Sequence, residues 1–435
     1  QMAQSGSETT RAYSRSSTGV GVSATRRSLS SMSTTSLSLS QAINIDGNKP
    51  AVVFDIGASL TKVGFAGEYS PRGIIRTEFI DEQLVLQNDL FSGLKESDRH
   101  SLVKLANFFK HIYFTHLLTI PRERRVVIVE SLLAPSHIRR AITTVLLEML
   151  EAPSVLFAPS HLLATFPFNT TTALVLDLGW NEAVAMPIAE GITMLSHWEA
   201  VNKGARAVTQ RIRELLEKDG LVEDFDCSRR PISQGDWQTI HEAKLVEDIL
   251  VRGLFVMPMA RADAIRAGEQ PSPPTVELLL PMGTEMLVVP GSIRESAAEI
   301  LFDTSNPDEP ALHEVLHNMV AKCPLDLRKK LFSSILVVGG LALIPGLLPR
   351  LKAEIVRLAD VRGLKTCDNV GFYMFKGAHM EPWMAWLGGS MFGSLTDTLQ
   401  HRSLSRDDWV LNHNLPDCID FHDPFDKMPN SKTRA

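Results

Sequence analysis

The sequence has few cysteines, no excess of basic charge and no recognisable metal-ligand spacing. Its four cysteines are spread over 435 residues, and none belongs to a Cys-x-x-Cys pair. This spacing argues against a zinc site and a disulfide framework, and it is typical of a protein from a reducing compartment. The 44 Lys and Arg against 50 Asp and Glu give a net charge of −6, whereas a protein that binds nucleic acid through phosphate contacts is basic. The 13 histidines lack metal-ligand spacing, and no Gly-x-Ser-x-Gly hydrolase motif is present.

Long hydrophobic runs are also scarce. One uncharged run, Leu331 to Pro349, is just long enough to cross a bilayer. However, Gly339 and Gly340 split this run, and Pro345 interrupts the remainder. A buried strand over Ser334 to Val338, a glycine turn and a helix beginning near Pro345 account better for the same residues. We therefore predict no membrane span.

The first 48 residues differ in composition from the rest of the chain. They are rich in Ser and Thr, carry four Arg and one Glu, and show no hydrophobic periodicity. Such a segment buries too little apolar surface to offset its chain entropy, so we predict that it is disordered. A mitochondrial transit peptide has a similar composition, but the apolar helical stripe that it needs is weak here. We favour a flexible tail that phosphorylation would tune.

One short pattern occurs twice in the remaining sequence. An apolar strand runs into Asp-x-Gly, and a second apolar strand returns, over Ala51 to Ala66 and again over Ala173 to Ile188. Interior strands over Arg125 to Glu130 and Val155 to Ala158 follow the first copy, with a helix capped by Ser136 between them. Two copies of this arrangement predict an internally duplicated α/β protein.

The repeated turns have the elements of a nucleotide site. A glycine turn exposes backbone N–H groups that cradle phosphate oxygens, and carboxylates such as Asp55 and Asp177 can hold a hydrated Mg²⁺. The same residues also have a structural explanation. Each aspartate can accept hydrogen bonds from backbone N–H groups of its own turn, and Lys62 can pair with either carboxylate. We favour the structural explanation.

These motifs resemble those of the actin family. Asp55 to Glu68 is similar to the first phosphate loop of actin, and Val338 to Gly346 is similar to its adenosine motif. Trp386 to Ser390 matches the C-terminal Trp-x-Gly-Gly segment. The resemblance implies an α/β fold of the actin and Hsp70 type, in which two ribonuclease-H-like lobes surround a central cleft. The implied divisions are a disordered segment over 1–48, a first lobe over 49–187, a second lobe over 188–375, and a return to the first lobe with a C-terminal tail over 376–435.

The same resemblance implies that the nucleotide site has lost its chemistry. The family's water-orienting glutamine falls on Ser160, and the histidine of its second phosphate hairpin falls on Val184. The ribose-binding carboxylate falls on Trp180, and the Lys-Glu pair that frames the nucleoside falls on Leu250 and Val251. Other departures from the pattern are Ala58, Ser59 and Asn181. The chain is therefore expected not to be an enzyme.

What remains is a vestigial nucleotide cleft. Its residues are Asp55, Gly57, Lys62, Asp177, Gly179, Gly339 and Gly340. We expect this cleft to be empty of ATP, ADP and metal, because Trp180 and Val251 should occlude the ribose and nucleoside space. Retention of ATP or ADP with magnesium is the alternative.

The resemblance also has consequences for assembly. Actin carries a long insertion with a loop that docks onto the next subunit, whereas the interval from Thr77 to Ala106 is much shorter. Leu84 to Leu86 and Leu90-Phe91 could form a strand or helix of a reduced docking subdomain. A subunit that lacks the docking loop can sit on a filament end but cannot accept a further subunit. This arrangement predicts a cap.

Individual runs, especially Arg125 to Pro135 and Pro153 to His161, are most similar to the actin-related proteins at the pointed end of dynactin. This resemblance implies a cytoplasmic, cytoskeletal subunit that caps the dynactin filament and supports dynein-driven microtubule transport. The implied partners are the actin-related filament subunits, beta-actin and dynactin subunits 4, 5 and 6, with dynein as an indirect partner. Two alternatives stay open, a slow ATPase of the same superfamily and an actin-related subunit of a chromatin-remodelling complex.

Overall fold

The computed structural model describes residues 49–80, 86–87, 90–91, 94, 98–224, 226–268, 273–280, 285–363, 369–375 and 379–415. These residues belong to one compact unit that begins at Lys49. The predicted disorder over 1–48 concerns residues outside this description and stays a prediction, as does the tail beyond residue 415.

The described strands are short and mostly apolar, as the Val- and Ile-rich runs predict. In chain order they are β1 (Val52–Ile56), β2 (Leu60–Phe65), β3 (Gly73–Arg76), β4 (Phe79–Ile80), β5 (Leu86–Gln87), β6 (Val126–Glu130), β7 (Ser154–Pro159), β8 (Ala173–Leu178), β9 (Ala183–Ala189), β10 (Ile192–Thr193), β11 (Glu199–Val201), β12 (Leu221–Glu223), β13 (Arg229–Pro231), β14 (Val276–Leu279), β15 (Met286–Val289), β16 (Ile335–Val338), β17 (Phe372–Tyr373) and β18 (Leu404–Ser405).

The described α-helices cover these strands. In chain order they are α1 (Arg99–His111), α2 (Ser136–Thr144), α3 (Ser160–Leu163), α4 (Ala205–Asp219), α5 (Gln234–Glu242), α6 (Leu245–Asp248), α7 (Met259–Arg266), α8 (Gly291–Ser296), α9 (Leu312–Lys322), α10 (Leu325–Ser333), α11 (Leu347–Arg362), α12 (Met384–Gly393), α13 (Thr396–Arg402) and α14 (Arg406–Asn412). Helices α1, α2 and α6 continue directly into π-helical turns over Ile112–Leu117, Val145–Met149 and Ile249–Gly253.

Two sheets repeat one topology. Sheet A has the order β18-β7-β6-β1-β2-β3, and sheet B has the order β10-β9-β8-β16-β17. In both, an antiparallel three-strand meander (β1-β2-β3 or β8-β9-β10) begins at the strand that carries the aspartate. A parallel strand then pairs with the strand that carries the aspartate, β6 in sheet A and β16 in sheet B. A second parallel strand pairs with the first, β7 in sheet A and β17 in sheet B. The predicted internal duplication is confirmed.

The sheets place the lobe boundary earlier than the sequence analysis did. Strand β8 pairs with β16 and β9 pairs with β8, so both strands belong to sheet B, although the first lobe was assigned residues up to 187. The division between the sheets lies between Pro159 and Ala173, because the second Asp-x-Gly hairpin begins the second copy of the fold. A third sheet, with the order β13-β12-β15-β14, lies within the segment assigned to the second lobe.

A buried cluster joins the two main sheets. It combines Val53 and Val129 of sheet A with Val175 and Val338 of sheet B, and with Trp386 of α12. The Trp386 indole N–H donates to the Val53 carbonyl at 3.1 Å, which fixes the helix on the end of the first lobe.

The glycines of the Trp-x-Gly-Gly segment permit the close approach of α12. A Cβ added at Gly388 would lie 1.9 Å from the Leu163 carbonyl oxygen, and one at Gly389 would lie 2.7 Å from a Val129 methyl group. A Cβ at Gly388 would overlap the Leu163 backbone, so only glycine fits there. The motif is therefore needed for packing, independently of its resemblance to actin.

Two local predictions have clear outcomes. The run from Leu331 to Pro349 forms the end of α10, strand β16, a glycine turn and the start of α11. Within the described residues, no helix is both long and apolar enough to traverse a bilayer. The predicted cap of α2 is wrong, because Ser136 is the first helical residue and Pro135 occupies the cap position without a side-chain bond.

The region between β3 and α1 is small. Its described residues include the antiparallel pair β4–β5, followed by the buried side chains of Leu90 and Leu94. Helix α1 begins at Arg99, where the Asp98 carboxylate accepts from the His100 and Ser101 N–H groups. Leu86 lies in β5 as the sequence suggested, whereas Leu84 and Val85 lie outside the described residues.

Candidate functional site

The predicted site residues converge on one cavity between the two lobes. The turn after β1, the turn after β8 and the Gly339-Gly340 turn after β16 all contribute to its wall, and the cavity has a volume of about 1170 Å³. All seven predicted residues line it: Asp55, Gly57, Lys62, Asp177, Gly179, Gly339 and Gly340. The tertiary fold therefore brings these seven residues together at one cavity.

Backbone bonds close the first turn. The Gly57 N–H donates to the Leu60 carbonyl at 3.1 Å, and a Cβ at Gly57 would lie 2.8 Å from that oxygen. Thr77 supports the turn from β3, since its hydroxyl donates to the Gly57 carbonyl at 2.8 Å and its N–H donates to the Ser59 carbonyl at 2.9 Å. The Thr77 side chain also lies 2.9 Å from the Thr61 hydroxyl, and both threonines are buried. The sequence carries no local signal for this support, because a lone threonine beyond β3 belongs to no recognisable motif.

Asp55 has a cation directly opposite on the neighbouring strand. Asp55 faces Lys62 in the β1–β2 register, and the Lys62 Nζ donates to Asp55 Oδ2 at 3.0 Å. Both side chains are about 15% exposed, so the pair is only partly screened by solvent. Of the two carboxylates that Lys62 could have paired with, the structure selects Asp55.

The second turn, which follows β8, is closed by the same backbone hydrogen bond as the first. The Gly179 N–H donates to the Glu182 carbonyl at 3.0 Å, and the Gly179 and Trp180 carbonyls accept from the first N–H groups of α4, those of Ala205 and Arg206. The expectation that the aspartates accept hydrogen bonds from their own turns is therefore wrong in both copies. The turn N–H groups of Gly57 and Gly179 bond to carbonyls instead.

Asp177 lacks the counter-charge that Asp55 has. Val184 is its partner in the β8–β9 register, and this valine is buried. Burial raises the pKa of Asp177 above its ordinary value, and the Asp55 carboxylate adds to the rise, whereas His161 and Lys62 oppose it. The protein environment thus resists the charged form of this carboxyl group.

His161, one of the 13 histidines without metal-ligand spacing, is a buried neighbour of Asp177. Burial lowers the pKa of His161, and the negative charge of Asp177 opposes that effect. Its Nδ1 lies 3.3 Å from the Ser160 hydroxyl at the first turn of α3. Ser160 lines the cavity wall, with its hydroxyl beside this imidazole.

Gly339 is required where β16 meets the second turn. It has φ +95°, and a Cβ there would lie 2.3 Å from the Leu178 carbonyl oxygen and 2.9 Å from Asp177 Oδ1. Its N–H donates to the Glu381 carbonyl at 3.0 Å, which ties this turn to the segment that leads into α12. Gly340, in contrast, has open space around it.

The predicted occlusion of the nucleoside space is not what the structure shows. Trp180 and Val251 line the cavity wall but leave its volume of about 1170 Å³ open. Val251 is 75% exposed, because the π-helical turn Ile249–Gly253 buries Ile249, Leu250 and Gly253 and turns Val251 outward. Size alone therefore does not exclude a ligand.

The wall of the cavity carries more acidic than basic side chains. Eight acidic and five basic side chains line it, and the lysine beside the two turns, Lys62, is paired with Asp55. Within the described part of the chain, no group of three or more His, Cys, Asp or Glu side chains is placed to hold a metal ion. The cavity has room for an ATP-sized ligand.

Comparisons with known proteins agree with this geometry. The family profile named Actin matches residues 47–412. Putative actin-29 of Dictyostelium discoideum is 23% identical over 390 residues, which cover 84% of this chain and 95% of that protein. Actin-related protein 10 of the same organism is 24% identical over 416 residues, which cover 81% of this chain and 84% of that protein.

Proposed function

This chain belongs to the actin family, and from that premise we propose that it is a non-catalytic structural subunit that caps the pointed end of the dynactin filament. Its similarity to an actin-related protein and to a putative actin supports an actin-like structural role. The proposed partners are the actin-related filament subunits, beta-actin and dynactin subunits 4, 5 and 6, in the cytoplasm. Through them the chain would support dynein-driven transport along microtubules.

One observation carries the proposal: the two main sheets surround a cleft, while the residues that the resemblance places at the positions for water activation are Ser160 and Val184. Hydrolysis requires a water held in line with the terminal phosphate. Ser160 directs its hydroxyl toward the neighbouring imidazole at 3.3 Å, and the buried Val184 can neither donate nor accept a proton. A scaffold of this kind offers shape rather than chemistry.

The small region between β3 and α1 supports capping. Among its described residues, regular structure is limited to the two-residue strands β4 and β5. Head-to-tail association continues only while each new subunit presents the face that the next one needs. A subunit with a reduced docking subdomain would occupy a filament end and stop further addition.

Absence of catalysis is tested on the purified full chain. We expect no magnesium-dependent phosphate release from ATP above the protein-free background. A ligand that binds the folded state raises the thermal unfolding midpoint. We expect no nucleotide to bind, so magnesium-ATP should leave this midpoint unchanged. Turnover that the Asp177→Ala variant abolishes would contradict the proposal and favour a slow ATPase. A rise of many degrees without turnover would mean that the cleft holds nucleotide as a structural ligand.

Capping is tested by gentle isolation of the tagged chain and identification of its partners. We expect dynactin filament and pointed-end subunits to co-purify, and the added chain to slow elongation of actin-related filaments at one end. Recovery of chromatin-remodelling subunits with nuclear localisation of the tagged protein would overturn the assignment. Unchanged elongation in the presence of a saturating amount of the chain would overturn capping.

A further inference from the structure

A group of four charged residues connects the two lobes beside the cavity. Arg76 ends β3 in the first lobe, and Glu247 lies in α6 of the second lobe. The guanidinium binds the carboxylate with both nitrogens, at 3.2 Å from Nη1 to Oε1 and 2.5 Å from Nη2 to Oε2. This two-bond geometry is the strongest form of an Arg–carboxylate pair.

A second ion pair connects the lobes with the charges exchanged, since its cation belongs to the second lobe and its anion to the first. Lys244, from the second lobe, donates from Nζ to Glu78 Oε1 of the first lobe at 3.1 Å. Arg76 also lies 3.6 Å from Glu78, so the four residues alternate in sign and form one network. Their side chains are 16% to 38% exposed. A network of partly buried charges is less weakened by solvent and entropy than an isolated surface pair.

The network is anchored in the rigid parts of both lobes. On the first-lobe side, Thr77 follows Arg76 directly and bonds to Gly57 and Ser59 of the first turn. On the second-lobe side, Leu245 and Val246 are buried in the core of that lobe. A movement of one lobe away from the other would therefore have to break these ion pairs.

Lys244 shows a further sign of constraint. Its backbone has φ +55°, a left-handed conformation that residues other than glycine rarely adopt. The fold maintains this strained geometry at the start of α6, where the Lys244 carbonyl accepts from the Glu247 N–H at 3.0 Å. This turn brings both second-lobe members of the network, Lys244 and Glu247, to the same end of α6.

We propose that Arg76, Glu78, Lys244 and Glu247 form an electrostatic clasp that holds the two lobes closed beside the cavity, so that ionic strength and these four side chains set how often the lobes open. A ligand in a cavity between lobes stabilises closure by contacting both sides. The clasp stabilises closure in the same way, with four side chains of the protein in place of a ligand. This inference concerns the isolated chain and does not depend on capping.

Distance measurements on the full chain test the clasp. Spin labels on the exposed Cys227 of the second-lobe segment and on a cysteine introduced at the exposed Tyr69 of the first lobe report the separation of the lobes. Cys367 and Cys418 are replaced by serine. We expect Glu247→Gln to raise the population of longer distances about five-fold, the effect of losing about 1 kcal/mol of ion-pair energy. Raising the salt from 0.05 to 0.5 M should move the unsubstituted chain in the same direction, because salt screens partly exposed pairs.

The matched control removes the same charge elsewhere. Glu214 pairs with Arg211 at 3.1 Å within α4, so Glu214→Gln should leave the distances unchanged. The fully reversed chain, in which Arg76→Glu and Glu78→Lys accompany Lys244→Glu and Glu247→Arg, keeps the alternation of charges and should restore the closed population to within two-fold of the original. The clasp is overturned if Glu247→Gln behaves like Glu214→Gln, if the reversed chain stays as open as the single variant, or if salt has no effect.

Discussion

The two Asp-x-Gly hairpins share a backbone and differ in their charges. In each, the glycine N–H donates to the carbonyl three residues along, at 3.1 Å in the first hairpin and 3.0 Å in the second. Opposite the aspartate stands Lys62 in the first and Val184 in the second. Asp55 consequently has a cation at 3.0 Å, whereas burial and the nearby Asp55 raise the pKa of Asp177.

The two hairpins show which features a duplicated fold keeps in both copies and which features can differ between them. Turn shape depends on glycine and on backbone bonds, and these are the same in both copies. Chemistry depends on side chains, and a duplicated fold need not duplicate them. The cleft therefore has two matching turns of which only the first has its aspartate neutralised by the residue opposite.

The largest expected effect is at the glycine that packs against the second hairpin. Gly339→Ala should destabilise the chain by about 4 kcal/mol, because a left-handed backbone and a collision with the Leu178 carbonyl both oppose a Cβ. Urea unfolding measures the loss. Gly340→Ala is the control, since nothing lies within 4 Å of its added Cβ, and its effect should stay below about 1 kcal/mol. Equal effects of the two substitutions would show that the close approach at Gly339 is not what restricts this turn.

A smaller effect is expected when the first hairpin is made like the second. Lys62→Met leaves Asp55 without its counter-charge and should cost about 2 kcal/mol of unfolding free energy. The double variant Asp55→Asn with Lys62→Met should recover most of that loss, because the unpaired charge is then gone. If the double variant is as unstable as the single one, the loss comes from packing and not from the carboxylate.

The smallest effect is a change in pH dependence at the second hairpin. Because the pKa of Asp177 is raised in the folded chain, the folded state binds this proton more tightly than the unfolded state does. Stability is therefore lost as pH rises from about 4 through the folded pKa. Asp177→Asn removes this loss, so the variant should be more stable than the original chain at pH 7 and equal to it near pH 4.

The first hairpin supplies the control for the pH experiment. Asp55→Asn removes the partner of Lys62, so this substitution should destabilise the chain at pH 7, opposite in sign to Asp177→Asn. Urea unfolding from pH 4 to 8 measures both variants. A destabilised Asp177→Asn variant at neutral pH would mean that the carboxylate has a favourable partner after all.

Much of the fold and the list of cleft residues could be predicted. The Asp-x-Gly repeats, the Gly339-Gly340 turn and the interior strands all leave strong local patterns, and the structure brings the predicted residues to one cavity. Several errors concern the direction and the partner of an individual side chain. Occlusion by Val251 failed because that side chain turns outward from its helical turn, and the assumed aspartate–turn bonds failed because carbonyls satisfy Gly57 and Gly179.

The sequence by itself determined where the strands and turns lie and that the fold is duplicated. Apolar runs favour buried strands and glycine permits tight turns, and both effects depend only on residues that are close together in the chain. Only the tertiary structure decided which charges meet. Lys62 contacts Asp55 and not Asp177, and Arg76 reaches Glu247, which is 171 positions away. The Arg76–Glu247 pair depends on how two separately encoded lobes come together, which no local pattern of residues specifies. The choice of Asp55 by Lys62 depends on the register of β1 and β2.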